Sequence, residues 1–386
     1  MLYGRTVTAA RRFVLPLALA VVALALALDF WNPTEPIGID FHTYEAAALV
    51  GLHDGWSHIY DQDLVAVEQK NLVPGLATQP FLSPPPVAWL AASLSFLPYW
   101  PAYYVWAAIS FLALALALLW ASLERGLLRW VTAAAALAPW WVLHAVHLGQ
   151  VVPLVAAGVV LAWRLMRDRH NALGDSALAL LLLKPNTVIV VPWALLVAGR
   201  YRMFLTLSAI GALVVVIAFV TMGSGVEAYY GQVTGPLPAG ANFLTLEGAF
   251  GVSGALATAL RVLIIGISTW AAFRLRRSPG LVIAAGVLGS LLVAPYLHGS
   301  DLCLLGVAAW MVWEERTTVA WRLPLAFGWL IASPFVASSA IGLNLNRWPL
   351  IELVLLVALV IEAWRFGRER GAALTAGAEL GTRAPA

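Results

Sequence analysis

Asp40, His42, Tyr44 and Glu45 stand together in the stretch IGIDFHTYE (37–45) of a chain that is 61% hydrophobic. Polar groups so close together, just after the first apolar segment, are either a solvated loop or the start of a reaction site. A carboxylate in such a site suits proton abstraction. A structural role competes for Asp40: Asp before a helix, with a Glu in its early turns, also reads as an N-cap. Glu45 has mainly structural expectations.

Three basic residues raise the same question. Lys184 is one of two lysines in the sequence and directly precedes Pro185 within LLLLKPNTVIVV; Arg261 and Arg347 lie in or beside apolar segments. An ionisable group in such a setting costs roughly 2.5–3.5 kcal/mol to insert into a bilayer and marks a functional candidate. Snorkelling to the interface or pairing with an acid is the competing explanation for each. Six of the seven histidines, His42, His53, His58, His144, His147 and His298, fall on segments without basic clusters. His144 and His147 are one helical turn apart and could share a face, but no pair has the H-E-x-x-H spacing of a zinc site. A divalent metal is therefore not expected, and no cofactor is required.

These side chains need helices to hold them. Only 11% of the 386 residues are charged and the mean hydropathy is +0.84, far from the roughly 25% charged residues of soluble domains. Surface-to-volume scaling cannot hide this much apolar area in a soluble globule. Apolar segments near 13–28, 101–122, 129–146, 150–163, 174–198, 203–222, 252–273, 280–297, 301–313, 321–340 and 347–364 read as membrane helices, since lipid leaves the backbone no other hydrogen-bond partner. The first follows Arg5, Arg11 and Arg12 and reads as a signal anchor rather than a cleaved leader. Tryptophans in LPYWPAYYVW and APWWVLH mark membrane boundaries. The lone Cys303 excludes an internal disulfide and a cysteine metal cluster. The net charge of +3 gives no nucleic-acid footprint.

Charge orients the chain. Of 23 Lys and Arg, 19 fall in the N-terminus, the C-terminal tail and six short connections: 124–129, 164–170, 200–202, 274–277, 314–322 and 365–370. The positive-inside rule places these in the cytoplasm. The other connections face outward: 29–100, HLGQ (147–150), 223–250, YLHGSD (296–301) and 341–346. Consistency then requires 84–97 to lie along the outer face and 174–198 to break at LKPN into two short helices, because Pro185 cannot continue the ladder. The expected fold is all-α and polytopic: one domain over 1–386 with about twelve membrane helices (ten to thirteen), both termini inside, a long first outer loop with interfacial helices, and a disordered cytoplasmic tail at 371–386.

The series DFHTYEAAALVGLHDGWSHIYD, FLSPPPVAWL, LPYWPAYYVW, HLGQVVPLV, LLLLKPNTVIVVPWALLVAGRYR and APYLHGSDLCLL, in this order over roughly 30–305, resembles glycosyltransferase family 87. These are integral-membrane GT-C enzymes that include polyprenyl-phosphate-mannose-dependent mannosyltransferases. The resemblance implies an enzyme of the bacterial cytoplasmic membrane with its site facing outward. That enzyme would move a hexose, most simply mannose, from a polyprenyl-phosphate donor to a lipid or glycan hydroxyl. Residue by residue it implies Asp40 as the general base that activates the acceptor, and Lys184 with Pro185, and His298 with Pro295, around the donor phosphate. Arg261, Arg347, His147, Gln150 and Tyr44 complete the expected substrate-binding set. The absence of a Gly-rich nucleotide fingerprint agrees with a lipid donor. Two other classes remain: a flippase for a lipid-linked intermediate, which would usually show internal symmetry, and a non-catalytic assembly subunit, which would tolerate loss of Asp40.

Overall fold

A computed structural model describes residues 36–168, 175–235, 244–332 and 347–381, with the backbone alone for Arg347 and for 366–381. The expected span at 13–28 and the outer connection 341–346 lie outside these residues. In chain order the helices are α1 (Ile39–His53), α2 (Gln62–Leu72), α3 (Pro85–Ala92), α4 (Tyr99–Ala121), α5 (Leu127–Leu137), α6 (Trp140–Leu148), α7 (Val152–Asp168), α8 (Val191–Val197), α9 (Tyr201–Met222) and α10 (Gly225–Thr234). There follow α11 (Leu246–Phe250), α12 (Gly254–Arg274), α13 (Pro279–Val293), α14 (Cys303–Glu315), α15 (Val319–Ala332) and α16 (Arg347–Gly381). Short 3₁₀ stretches occupy Trp56–His58, Ser176–Leu183, Pro185–Thr187 and Gly299–Leu302, and no strand occurs among the described residues.

Helices α4, α9 and α12 are long and apolar enough to cross a bilayer, and α5 with α6 makes a fourth candidate bent by 62°. The sequence reads 129–146 as one span. Pro139 stands between the two helices, with no N–H to give the ladder, and the chain turns there. α9 presents Leu213, Val216, Phe219 and Val220 on its surface, a face suited to lipid rather than water. At the centre lies α13, all 15 of whose residues are buried. At about 22 Å it is shorter than a ~30 Å hydrocarbon core, but it packs against protein on all sides and need not match the lipid.

The connections that charge assigns to one side meet in space. Glu314 accepts from Ser122 Oγ (2.9 Å) and the Leu123 amide (2.6 Å). Glu315 accepts from Trp163 Nε1 (2.9 Å) and the Gly280 amide (2.7 Å). Arg322 pairs with Glu124, and Arg316 with Glu362 at 3.0 Å. Helices α4, α7, α13 and α14 run from this polar cluster to a second one at their other ends, which holds Asp40, Gln150, Lys184 and Asp301.

The stretch 36–98, ahead of α4, carries α1, α2 and α3. α3, entered through Pro84, Pro85 and Pro86, has eight residues, about 12 Å, too short to span. Two glutamines secure the chain leading into it. Gln69 bonds the Gln79 backbone in both directions (2.7 and 2.8 Å), and Gln62 does the same for Phe81 (3.3 and 2.9 Å).

Segment 175–202 enters and returns. Asp175 pairs with Arg202 at 2.6 Å, so the two legs start and finish together. The chain turns at Lys184 and Pro185 between a 3₁₀ stretch and α8. The helix α16 continues to Gly381, and 382–386 of the expected tail lie outside the described residues.

Candidate active site

Two left-handed glycines bring α1 and α6 together. Gly38, the N-cap of α1, has φ +74°; Gly149, the C-cap of α6, has φ +76°, a conformation that glycine adopts without steric cost. A Cβ on Gly149 would lie 2.5 Å from that of Phe41, so only glycine permits this approach. The Gly38 amide donates to the His147 carbonyl at 2.8 Å. Helix α4 fastens the junction: Tyr99 Oη donates to the Gly38 carbonyl (2.9 Å), Tyr103 Oη to His147 (2.8 Å) and Trp106 Nε1 to Gly149 (2.8 Å).

Gln150 leaves this turn and joins the functional candidates. Its Nε2 donates to Asp40 Oδ2 at 2.6 Å, while its Oε1 accepts from Tyr44 Oη at 3.1 Å and faces Lys184 Nζ at 3.5 Å. An ammonium can only donate, which fixes the amide oxygen toward Lys184 and the amide nitrogens toward the carboxylate. Lys184 Nζ in turn pairs with Asp301 Oδ1 at 2.6 Å, and Asp301 Oδ2 accepts from the His298 amide at 2.8 Å. Asp301 is fully buried, Lys184 is 8% exposed, and Asp40 is half-buried. The result is a continuous polar chain from Asp40 through Gln150 and Lys184 to Asp301.

Asp40 is not the helix cap. Gly38 takes that position, and Asp40 sits one residue inside α1, where the positive end of the helix still favours its charge. His42 is a clamp: it is fully buried, and its Nε2 lies 2.6 Å from the Gln69 carbonyl, tying α1 to α2. Burial lowers the imidazole pKa. Glu45 is 1% exposed, its Oε2 makes no hydrogen bond, and burial pushes its carboxyl up to about 8.

Of the expected set, Asp40, Tyr44, Gln150 and Lys184 meet directly, and His298 joins through its backbone, with an exposed imidazole beside Tyr296. His147 contributes through its carbonyl; its ring is fully buried and stacks on His144 with centroids 6.2 Å apart. Arg261 does not join. It pairs with Glu247 at 2.7 Å, in the approach to α12, where a nearer carboxylate takes its charge. The side chain of Arg347 lies outside the described residues. Asp301 is the member that residue-type arguments missed. The available signal was the rule that a buried ammonium requires a counter-charge; it calls for an acid without saying which one.

A half-buried carboxylate linked through one amide to a buried lysine, at the end of an apolar helical bundle, is an arrangement chemically suited to proton removal beside an anion. Residues 81–334 match glycosyltransferase family 87, about two thirds of the chain. The chain belongs to glycosyltransferase family 87 and is an integral-membrane glycosyltransferase. The matched region contains Gln150, Lys184, His298 and Asp301 and begins after Asp40. No curated protein and no solved structure matches the chain.

Proposed function

We propose that the protein transfers a hexose, mannose in the simplest case, from a polyprenyl-phosphate donor to a hydroxyl of a lipid or glycan acceptor on the outer face of a bacterial cytoplasmic membrane. The observation that carries this is the link Asp40–Gln150–Lys184, which sets a half-buried carboxylate and a cation on two sides of one amide. Asp40 removes the acceptor O–H proton while that oxygen bonds the anomeric carbon. The bond from this carbon to the phosphate oxygen breaks, and the lipid phosphate leaves with the electron pair. One displacement with no covalent sugar–enzyme intermediate inverts the anomeric centre. In this reading Lys184 and His298 face the charge that develops on the leaving phosphate, an electrostatic contribution that is usually a large part of catalysis. The donor is a substrate, and no metal or other cofactor takes part. The partners are the lipid donor, the acceptor and the surrounding lipids.

The test is incubation of the purified protein in lipid with polyprenyl-phosphate mannose, glucose and galactose. Transfer or release of one hexose with inverted anomeric configuration is the expected result. Transfer with retention would overturn the single-displacement route, and inertness toward every lipid-linked hexose would overturn the donor class.

A further inference from the structure

At the end of the bundle opposite Asp40, the ends of α4 and α7 and the start of α5 enclose a polar cavity of about 570 Å³. Arg125, Arg129, Arg164 and Arg167 line it, with Glu124 and Asp168. The acids are already engaged. Glu124 pairs with Arg322, and Asp168 pairs with Arg164 at 2.7 Å. Arg164 is further held over the Trp120 ring at 5.8 Å. The nearby Glu314 and Glu315 accept from Ser122, Leu123, Trp163 and Gly280. Arg167 meets Glu315 only at 3.9 Å. Arg129 Nε is shielded from solvent and makes no hydrogen bond, and Arg125 is exposed.

Among the described residues Arg125 and Arg129 thus face the cavity with no ion pair, and Arg167 with only the long contact to Glu315. Planar guanidinium forks match phosphate oxygens in pairs, and basic pockets between membrane helices at the positively charged side hold lipid headgroups. We propose that this cavity is a phosphate-binding site, separate from the transfer site, for a phosphate monoester or diester carried by a lipid headgroup or free in solution.

Thermal unfolding of the detergent-purified protein tests it, with inorganic phosphate, dihexanoyl phosphatidic acid and dihexanoyl phosphatidylcholine as probes. Wild type and Lys184→Met should both gain a few degrees with phosphatidic acid at roughly 100 times its dissociation constant, and phosphatidylcholine should do less. The gain should vanish in Arg129→Gln/Arg167→Gln and shrink with added salt. Should that double variant fail to fold, Arg125→Gln and Arg129→Lys each should need about tenfold more probe for half the effect. Inorganic phosphate matching phosphatidic acid would identify a soluble ligand, and phosphatidic acid alone a lipid headgroup; both support the site. An undiminished shift in every arginine variant, or no shift with either phosphate probe in wild type, overturns it. Loss of the shift in Lys184→Met but not in the arginine variants would assign the phosphate to the transfer site and overturn the proposal as well.

Discussion

Gln150 Nε2 lies 2.6 Å from Asp40 Oδ2, and the other end of the same amide faces Lys184 Nζ at 3.5 Å. The residue proposed to take the acceptor proton and the residue proposed to face the leaving phosphate are therefore positioned by one side chain. Gln150→Leu should lower kcat by about 10²-fold, the scale of a misplacement near 1 Å, with little loss of folded protein. Gln150→Glu should shift the acidic limb of the kcat/KM profile to higher pH, because a second carboxylate beside Asp40 opposes its ionisation. An unmoved profile in Gln150→Glu would show that the amide does not act on the base.

The Lys184–Asp301 pair should separate stability from binding. Removing one partner of a buried ion pair costs about 3–5 kcal/mol, whereas replacing both by apolar groups is often neutral. Asp301→Asn and Lys184→Met should each lower the melting temperature, and Lys184→Met/Asp301→Leu should recover most of it. The double variant should nevertheless need far more lipid donor for half-maximal rate. Wild-type donor affinity in a stable double variant would remove Lys184 from the donor site.

Glu45 and His42 predict opposite pH dependences of stability. The Glu45 carboxyl rises to about 8 on folding, so the native state keeps a proton that the unfolded chain loses above the usual carboxylate range. Its contribution is complete at low pH and is lost as pH rises to about 8, at roughly 1 kcal/mol per pH unit. His42, lowered by burial from 6.5, costs stability as pH falls below that value. Melting temperatures between pH 6.5 and 8 should fall with pH in wild type and fall less steeply in Glu45→Gln.

Sidedness can be read with an impermeant thiol reagent, because native Cys303 is buried. Cysteine at His58 or Glu227, both exposed, should label from outside intact cells. Cysteine at Arg125 or Arg276 should label only after permeabilisation. External labelling at Arg125 would contradict the placement of 84–97 on the outer surface.

Much of this was legible from residue type and position. Several of the described apolar segments became helices with nearly the expected limits, as with 203–222 and α9, while 176–183 wound as 3₁₀ instead. Asp40 and Lys184 stood out because polar side chains are costly in apolar surroundings, and Gln150 entered through the family resemblance. What was hidden depended on distance in space. Asp301 meets Lys184 across 117 positions of sequence, and nothing local announces that pairing. Arg261 finds Glu247 across a turn, which removes it from the set that charge counting had grouped. His147 works through its carbonyl, which side-chain chemistry does not reveal. The bend at Pro139 was visible in the sequence but outweighed by the continuous apolar run around it.

The most direct measurement is steady-state transfer by Asp40→Asn. Asn keeps an oxygen that can accept from Gln150 Nε2, so the bridge to Lys184 survives, and it has no basic carboxylate. If Asp40 activates the acceptor, kcat should fall by about 10²–10⁴, while the melting temperature and the half-saturating concentration of the polyprenyl-phosphate donor stay near wild type. Turnover close to wild type by a folded Asp40→Asn protein would contradict the account and leave Asp40 as a structural partner of Gln150.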